Sequence, residues 1–186
     1  MTGEDWQPTT TEGVLLRRNV ERLDERGSFT ELWRASLTRP LTDQPMVQAN
    51  LSRSRAGVLR GMHFHLRQAD LWLLVEGRAA AAVTDVRPAL RGGRAASEII
   101  DMSVGDALFI PAQVAHGFLA LTDMALVYLV SNEYDGTDEH GFAWDDPEAA
   151  IAWPAAPDII SDRDRANPTL RELIATLRQD AQIDGA

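Results

Sequence analysis

The stretch from Gly57 to Gly77, GVLRGMHFHLRQADLWLLVEG, decides how this chain is interpreted. It contains two runs that are typical of β-strands, at 60–65 and 71–75, and the second run stops at a glutamate and a glycine. His63 and His65 are two residues apart in the first run, so their side chains are expected on one face of a strand. If that face lines a barrel, both imidazoles lie in its interior.

Similar strand-like runs extend on both sides of this stretch. They lie at 14–16, 79–86, 97–102, 107–110 and 125–130. Short strands separated by turn residues predict an all-β sandwich or barrel. The C-terminal part differs, because Leu170, Leu173, Ile174 and Leu177 recur at helical spacing. We therefore expect one amphipathic helix that is capped by Asn167-Pro168 and packs on the barrel.

The bulk composition fits a single globular domain, residues 1–186, with 45% hydrophobic and 25% charged residues. A net charge of -10 argues against nucleic-acid binding, because phosphate neutralisation needs clustered Lys and Arg. No apolar run approaches the roughly 20 residues that span a bilayer. The acidic start, Met1–Asp5, lacks a secretory signal, and the absence of cysteine excludes disulfides and thiolate metal sites. We therefore expect a cytoplasmic protein with no membrane partner.

The two histidines belong to a longer pattern that resembles the two-part signature of the cupin superfamily. Its members here are Gly57, His63, His65, Asp70, Gly77, Gly105, Pro111 and His116. In metal-binding cupins, a His-x-His pair, an acid and a later histidine hold a divalent metal. The resemblance implies a cupin-type double-stranded β-helix (a jelly-roll barrel) with a C-terminal helix.

A second resemblance covers most of the chain and is more detailed. Five blocks follow one another in the order found in the dTDP-4-dehydrorhamnose 3,5-epimerase family. They are Asp24–Glu31, Asn50–Ser54 with Gly57–Phe64, Ile110–Pro111 with Ala115–Leu119, Trp144–Pro147 with Ile151–Pro154, and Ile159–Asp164. Any one block could be an ordinary turn, but five in order identify the chain as a member by resemblance.

The resemblance implies an isomerase that inverts carbon 3, carbon 5 or both of a dTDP-linked 4-keto-6-deoxysugar in deoxysugar biosynthesis. It implies His63 as the general base beside the sugar ketone and Asp164 as the residue that orients it. Tyr134 is the implied acid that returns a proton from the opposite face. Tyr128, in an apolar run, is the competing tyrosine and is expected to be a barrel residue. The family also implies a homodimer whose subunits share strands and complete each other's sites, with no cofactor.

Six residues are implied in substrate binding. The nucleotide-sugar site would be lined by Arg26, Phe29, Glu31, Asn50 and Arg60, with the arginines taking the diphosphate. Arg is suited to this role because its guanidinium binds phosphate in a bidentate manner. His116 and Arg60 are the expected donors to the enolate oxygen that forms when the proton is removed.

Two positions depart from the family's pattern: His65 stands where a glutamine or similar residue is usual, and Asp70 stands where a lysine is usual. An enolate needs a positive partner, and an ionised Asp70 would repel it. The alternative is a metal-dependent cupin enzyme in which His63, His65, Asp70 and His116 bind one divalent metal ion as the Lewis acid. Such a metal would occupy His63, so the two mechanisms exclude each other at that residue. A non-catalytic sugar-binding relative is a third interpretation.

Overall fold

The computed structural model describes residues 6–19, 21–134 and 136–183, and these residues form mainly antiparallel β-strands. The strands are β1 (Gln7–Pro8), β2 (Leu15–Arg18), β3 (Glu21–Asp24), β4 (Gly27–Thr30), β5 (Gln48–Ser54), β6 (Val58–Phe64), β7 (Asp70–Glu76), β8 (Arg78–Asp85), β9 (Ala96–Ser103), β10 (Asp106–Ile110), β11 (Val114–Ala120), β12 (Met124–Val130), β13 (His140–Gly141) and β14 (Ile159–Ile160). The helices are α1 (Ala35–Thr38), α2 (Arg87–Leu90), α3 (Asp162–Arg165) and α4 (Leu170–Ile183). The seven runs predicted as strands correspond to β2, β6 to β10 and β12, so the all-β prediction is confirmed.

Two six-membered sets of strands form the barrel. One sheet has the order β1-β2-β10-β7-β12-β5, and the other has the order β13-β6-β11-β8-β9 with β14 beside β6. Strand β7 shows how the side chains divide between the faces: Trp72 and Leu74 join the core between the sheets, while Leu71 and Leu73 belong to a separate cluster on the outer face. By the same alternation Asp70 points inward.

The apolar core meets a polar cavity at Trp72. The indole ring makes edge-on contacts with the rings of Phe118 and His116, at centroid distances of 5.7 and 5.4 Å. Phe118 belongs to the apolar core, whereas His116 lines the cavity. Aromatic pairs favour this edge-to-face arrangement, so Trp72 forms a rigid floor under the polar end of the barrel.

A β-bulge in β6 decides which of its side chains enter the cavity. The register between β6 and β11 shifts between the pair His63–His116 and the next pair at Arg60. The backbones approach closely there, because a Cβ on Gly117 would lie 2.7 Å from the carbonyl oxygen of Arg60. An extra residue in one strand reverses the alternation of faces. Arg60 and His63, which are three residues apart, therefore both line the cavity.

Helix α4 begins two residues later than predicted. Thr169 Oγ1 accepts a hydrogen bond from the Glu172 N–H at 3.2 Å, and the Glu172 carboxylate accepts one from the Thr169 N–H at 2.8 Å. This reciprocal capping box satisfies backbone donors that would otherwise be unpaired at the helix start. The prediction that Asn167 and Pro168 cap the helix was therefore wrong.

The apolar face of α4 packs on the barrel, as predicted. Leu170, Leu173 and Leu177 are buried in one cluster with Met62 and Phe64 of β6. In the part of the chain that the structure describes, no helix has both the length and the apolar character needed to cross a membrane.

Strands β3 and β4 form a two-stranded hairpin that pairs with no other strand among the described residues. Leu23 and Phe29 on this hairpin are 77% and 66% exposed. An isolated two-stranded hairpin is marginally stable in water. The apolar surface of this hairpin is therefore unusual for a segment that stands alone.

Candidate active site

The cavity at the polar end of the barrel has a volume of about 300 Å³. Its walls include Arg60, His63, His65, Asp70, His116 and Tyr134. These residues come from β6, β7, β11 and two connecting loops. The barrel therefore gathers in one place side chains that lie as far apart in the sequence as Arg60 and Tyr134.

His63 is held by a carboxylate behind it. Its Nε2 lies 2.9 Å from Asp164 Oδ1, and Asp164 Oδ2 accepts a hydrogen bond from the Gly61 N–H at 3.2 Å. Asp164 lies in the first turn of α3, where Ser161 caps the helix by accepting from the Asp164 N–H at 3.0 Å. Burial alone would raise the pKa of Asp164, but the bonds from His63, Gly61 and Ser161 hold it below its ordinary value.

The ionised Asp164 fixes the tautomer of His63. A carboxylate without a proton can only accept, so the hydrogen of the neutral imidazole lies on Nε2. The lone pair is then on Nδ1, and the partly exposed ring lines the cavity. The structure thus gives His63 the tautomer in which Nδ1 can act as a general base.

His65, Asp70 and His116 form a second group, which we call the acceptor cluster. Nδ1 of His65 lies 2.7 Å from the carbonyl oxygen of Asp138, and Nδ1 of His116 lies 3.2 Å from that of Val114. A carbonyl only accepts, so each Nδ1 carries a hydrogen, and in the neutral ring the lone pair is on Nε2. In that form both histidines are acceptors at Nε2.

His116 is neutral near neutral pH. Burial lowers its pKa to about 4; Asp70 opposes this shift, and the neighbouring His65 and His63 add to it. With no proton on Nε2, His116 cannot donate to an enolate oxygen. The structure places His116 in the cavity, as predicted for a substrate-binding residue, but its hydrogen bond and its pKa contradict the predicted donor role.

The acceptor cluster is compact and buried. One potential ligand atom from each of His65, Asp70 and His116 lies within 4.8 Å of the other two, and all three residues are more than nine-tenths buried. His63 is not in this group, although its ring centroid is 6.5 Å from that of His116. The metal alternative predicted from the sequence had four ligands, and the structure brings together three of them.

Two tyrosines line the cavity. Tyr134 lies at the rim, 68% exposed, and its backbone N–H donates to Gln48 Oε1 at 3.2 Å. The amide of Gln48 also donates to Asn50 Oδ1 at 2.9 Å. Tyr128 lies deeper on β12, where burial and the nearby Asp70 raise its pKa. The position of Tyr134 leaves its hydroxyl group accessible from the open side.

Four residues predicted to bind substrate do not line the cavity of this chain. Arg26, Phe29 and Glu31 lie on or directly after the β3–β4 hairpin, where Arg26 pairs with Asp24 and Glu31 pairs with Arg34. Asn50 lies on β5, opposite Tyr128 in the sheet. Of the predicted diphosphate ligands, only Arg60 is in the cavity.

Sequence reasoning missed several cavity residues, among them Arg163, Gln68 and Glu139. Arg163 lines the cavity and forms an ion pair with Glu139. Gln68 Nε2 donates to Asp70 Oδ2 at 3.1 Å. Arg163 lies beside Asp164 in a block that resembles the family, which was an available signal. No comparable signal pointed to Glu139, because it lies in a loop without a strand or helix pattern.

An antiparallel double-sheet barrel with a His–Asp pair in its open end is the architecture of the cupin-type double-stranded β-helix class. Residues 8–172 match the family described as dTDP-4-dehydrorhamnose 3,5-epimerase. The dTDP-4-dehydrorhamnose 3,5-epimerase of Streptomyces griseus is 34% identical over 174 residues, which are 90% of this chain and 87% of that protein. This chain therefore belongs to the dTDP-4-dehydrorhamnose 3,5-epimerase family.

Solved structures agree with this assignment. NovW, a 4-keto-6-deoxy sugar epimerase from Streptomyces spheroides, has a TM-score of 0.83 and 32% identity, covering 94% of this chain and 91% of that one. ChmJ, a 3'-monoepimerase from Streptomyces bikiniensis in complex with dTDP-quinovose, has a TM-score of 0.79 and 31% identity, covering 94% and 98%. The predicted cupin fold and the predicted epimerase class are confirmed. The roles of individual residues remain predictions.

Proposed function

We propose that this protein epimerises a dTDP-linked 4-keto-6-deoxysugar at a carbon next to the ketone. The observation that carries the proposal is the 2.9 Å bond between His63 Nε2 and Asp164, which leaves a basic Nδ1 on a residue that lines the cavity. A cavity of about 300 Å³ is at the lower end of the range of small-molecule sites and suits the sugar portion. NovW and ChmJ, both named as sugar epimerases, support the substrate class.

The reaction begins when Nδ1 of His63 takes the proton from the carbon beside the ketone. The electrons of that C–H bond form a carbon–carbon double bond, and the ketone oxygen becomes an enolate. Asp164 stabilises the imidazolium that results. Tyr134 then protonates the carbon from the opposite face, which inverts it. Arg60, whose Nε donates to Ser54 Oγ at 3.1 Å, is a cavity cation that can stabilise negative charge.

We expect inversion at carbon 3, with or without inversion at carbon 5, because the similar proteins include both 3,5-epimerases and a 3'-monoepimerase. The Streptomyces griseus protein is named as a 3,5-epimerase and ChmJ as a 3'-monoepimerase, so carbon 3 is common to the two names. The experiment is to incubate the protein with a dTDP-4-keto-6-deoxyhexose in D2O and follow each carbon by NMR. We expect deuterium at carbon 3 and an inverted product. A folded protein that exchanges neither carbon 3 nor carbon 5 would contradict the proposal.

The proposed enzyme is a homodimer in which the β3–β4 hairpin of one subunit covers the cavity of the other. Support comes from the exposed Leu23 and Phe29 on a hairpin that pairs with no other strand of the described chain. Strand β5 is an edge strand with an exposed Leu51, and exposed edges favour pairing with another chain. In a shared site, Arg26 of one subunit would reach the cavity of the partner, since Arg26 does not line the cavity of its own chain.

Complementation between subunits tests the shared site. His63→Asn and Arg26→Ala subunits are each expected to be inactive as homodimers. Coexpression forms mixed dimers in which one cavity has both an intact His63 and an intact Arg26, so activity should return. Light scattering on the wild type gives the subunit number. An active monomer, or mixed dimers without any recovery, would contradict this arrangement.

We also propose a cytoplasmic location for the enzyme. The chain contains no cysteine, so nothing in its fold requires an oxidising compartment. Fractionation of cells that express the protein at its natural level tests this proposal, and recovery in the membrane or extracellular fraction would contradict it.

A further inference from the structure

The acceptor cluster has no use in the metal-free mechanism, yet it is among the most deeply buried polar groups described. We propose that His65, Asp70 and His116 form a three-ligand site for a divalent transition-metal ion beside the catalytic base. The proposal concerns a role in the epimerase reaction and so rests on the proposed function, although the metal site itself can be tested without it.

The geometry of the cluster fits a metal. One potential ligand atom from each residue lies within 4.8 Å of the other two. A tetrahedral ion at 2.0–2.2 Å from its nitrogen and carboxylate oxygen ligands holds them about 3.3–3.6 Å apart, so side chains whose ligand atoms lie within 4.8 Å must close by up to about 1.5 Å. Two imidazoles and one carboxylate are a donor set used by zinc enzymes and by non-haem iron enzymes, both of which keep an open position for substrate.

The hydrogen bonds of the two histidines point to the same conclusion. His65 and His116 each use Nδ1–H to donate to a backbone carbonyl, of Asp138 and Val114 respectively. Metal-binding histidines typically have such a partner on the second nitrogen, because it fixes the tautomer and the orientation of the ring. In the neutral form of each ring, Nε2 then carries the lone pair, which can bind an ion but cannot donate a hydrogen bond to Asp70.

No cationic side chain among the described residues pairs with Asp70. The residue is 3% exposed, and the side-chain hydrogen bond that its carboxylate accepts among the described residues comes from the neutral amide of Gln68. No ion pair between Asp70 and an arginine or lysine is found in that part of the chain. Burial of a carboxylate without a positive partner is costly. A bound divalent ion supplies the missing charge.

The site leaves the base free. The sequence alone suggested that a metal would occupy His63, but His63 Nε2 is bonded to Asp164, and His63 is not one of the three clustered ligands. The rings of His63 and His116 are 6.5 Å apart, a distance that a sugar ketone and its neighbouring carbon can bridge. A divalent ion there would supply the positive charge that the enolate oxygen needs. It would do so beside Asp70, the position at which a lysine is usual in the family's pattern.

The first experiment measures metal in the wild-type protein. The protein is purified without a histidine tag or chelator, and its metal content is determined by mass spectrometry. A chelator then removes the metal, and Zn2+ or Co2+ is titrated back, with calorimetry for zinc and visible absorption for cobalt. We expect near-stoichiometric metal and a higher unfolding temperature with it. Protein that contains no metal and responds to none of Zn2+, Co2+, Fe2+ and Mn2+ would overturn the proposal.

Matched variants locate the site. Asp70→Asn keeps the size of the side chain. We expect it to weaken Zn2+ binding by more than about a hundredfold, because losing a residue that only supports a ligand already weakens binding by about 10–100-fold. His65→Gln serves the same purpose should Asp70→Asn fail to fold. His140→Asn, which removes the fourth histidine of the chain, should bind Zn2+ like the wild type. Binding that survives in both Asp70→Asn and His65→Gln would place the ion elsewhere.

His63→Asn separates this inference from the proposed function. This variant should keep its metal and lose deuterium exchange into the substrate. Loss of the metal would make His63 a ligand and overturn the three-ligand site. Metal bound at the cluster in a protein that exchanges no deuterium even as wild type would support the site and contradict the epimerase. Full exchange by metal-free wild type would overturn the catalytic role of the ion.

Discussion

The His63–Asp164 pair and the acceptor cluster use the same residue types in one cavity but reach opposite hydrogen-bonding states. In the pair, an ionised carboxylate faces Nε2 and places the hydrogen there, so Nδ1 becomes the basic atom. In the cluster, backbone carbonyls face Nδ1 of His65 and His116, so both Nε2 atoms carry lone pairs. The difference teaches that the partner of one ring nitrogen decides what the other nitrogen can do.

The largest effect is expected from removing the proposed catalytic base of the His63–Asp164 pair. His63→Asn should reduce deuterium exchange beside the ketone by about 10²–10⁴-fold, because a general base contributes that much to proton transfer. Binding of dTDP should change little, since the base acts mainly in the transition state. Exchange is measured by NMR in D2O. Wild-type exchange in this variant would transfer the role of the base to the acceptor cluster.

The second-largest effect is expected from removing the acid that returns a proton to the sugar carbon. Tyr134→Phe should still remove the proton from the sugar, but the yield of inverted product should fall by about a hundredfold or more. Product configuration and deuterium exchange are followed in the same reaction. Tyr128→Phe is the matched control, because Tyr128 also lines the cavity. Normal inversion in Tyr134→Phe together with failed inversion in Tyr128→Phe would make Tyr128 the acid.

A smaller effect is expected from the residue that orients the base. Asp164→Asn removes a charge-assisted bond that contributes about 1.5–3 kcal/mol, so turnover should fall by roughly ten- to a hundredfold. The amide oxygen of asparagine can still accept from Nε2, which keeps the loss below that of His63→Asn. Steady-state rates measure the difference. Equal losses in the two variants would show that Asp164 does more than orient His63.

The smallest effect is a dependence of stability on pH. The folded pKa of Asp164 is lowered, so its contribution to stability is present above the ordinary aspartate pKa of about 3.9 and is lost as pH falls through the folded value. The difference in free energy of unfolding between wild type and Asp164→Asn should be constant near neutral pH and shrink in acid. Denaturant titrations at a series of pH values measure it. A difference that grows as pH falls would contradict the lowered pKa.

Much of the architecture was predictable from local patterns. The seven strand runs and the apolar face of α4 follow from side-chain periodicity, which depends only on residues close in sequence. Other strands were not predicted for physical reasons. Strand β11 is buried on both faces, so it shows no alternation, and β5 is an edge strand made mostly of polar residues.

The site was only partly predictable. Resemblance to the family pointed to His63, Asp164 and Tyr134, and the structure places His63 and Asp164 in direct contact although they are 101 residues apart. Arg26, Phe29 and Glu31 were predicted beside them but lie on the hairpin. A sequence pattern does not say which copy of a chain a residue serves, so this part of the prediction depends on the proposed dimer.

The sequence by itself determined the family, the all-β architecture and the residue types available for chemistry, because these depend on local periodicity and on the order of short blocks. Only the tertiary structure decided how those residues act. The bulge opposite Gly117 brings Arg60 and His63 to one face against the simple alternation of a strand. Asp138 and Val114 fix the tautomers of two histidines through carbonyls that carry no side-chain signature. Such contacts join backbone groups from distant segments, and a sequence pattern does not encode them.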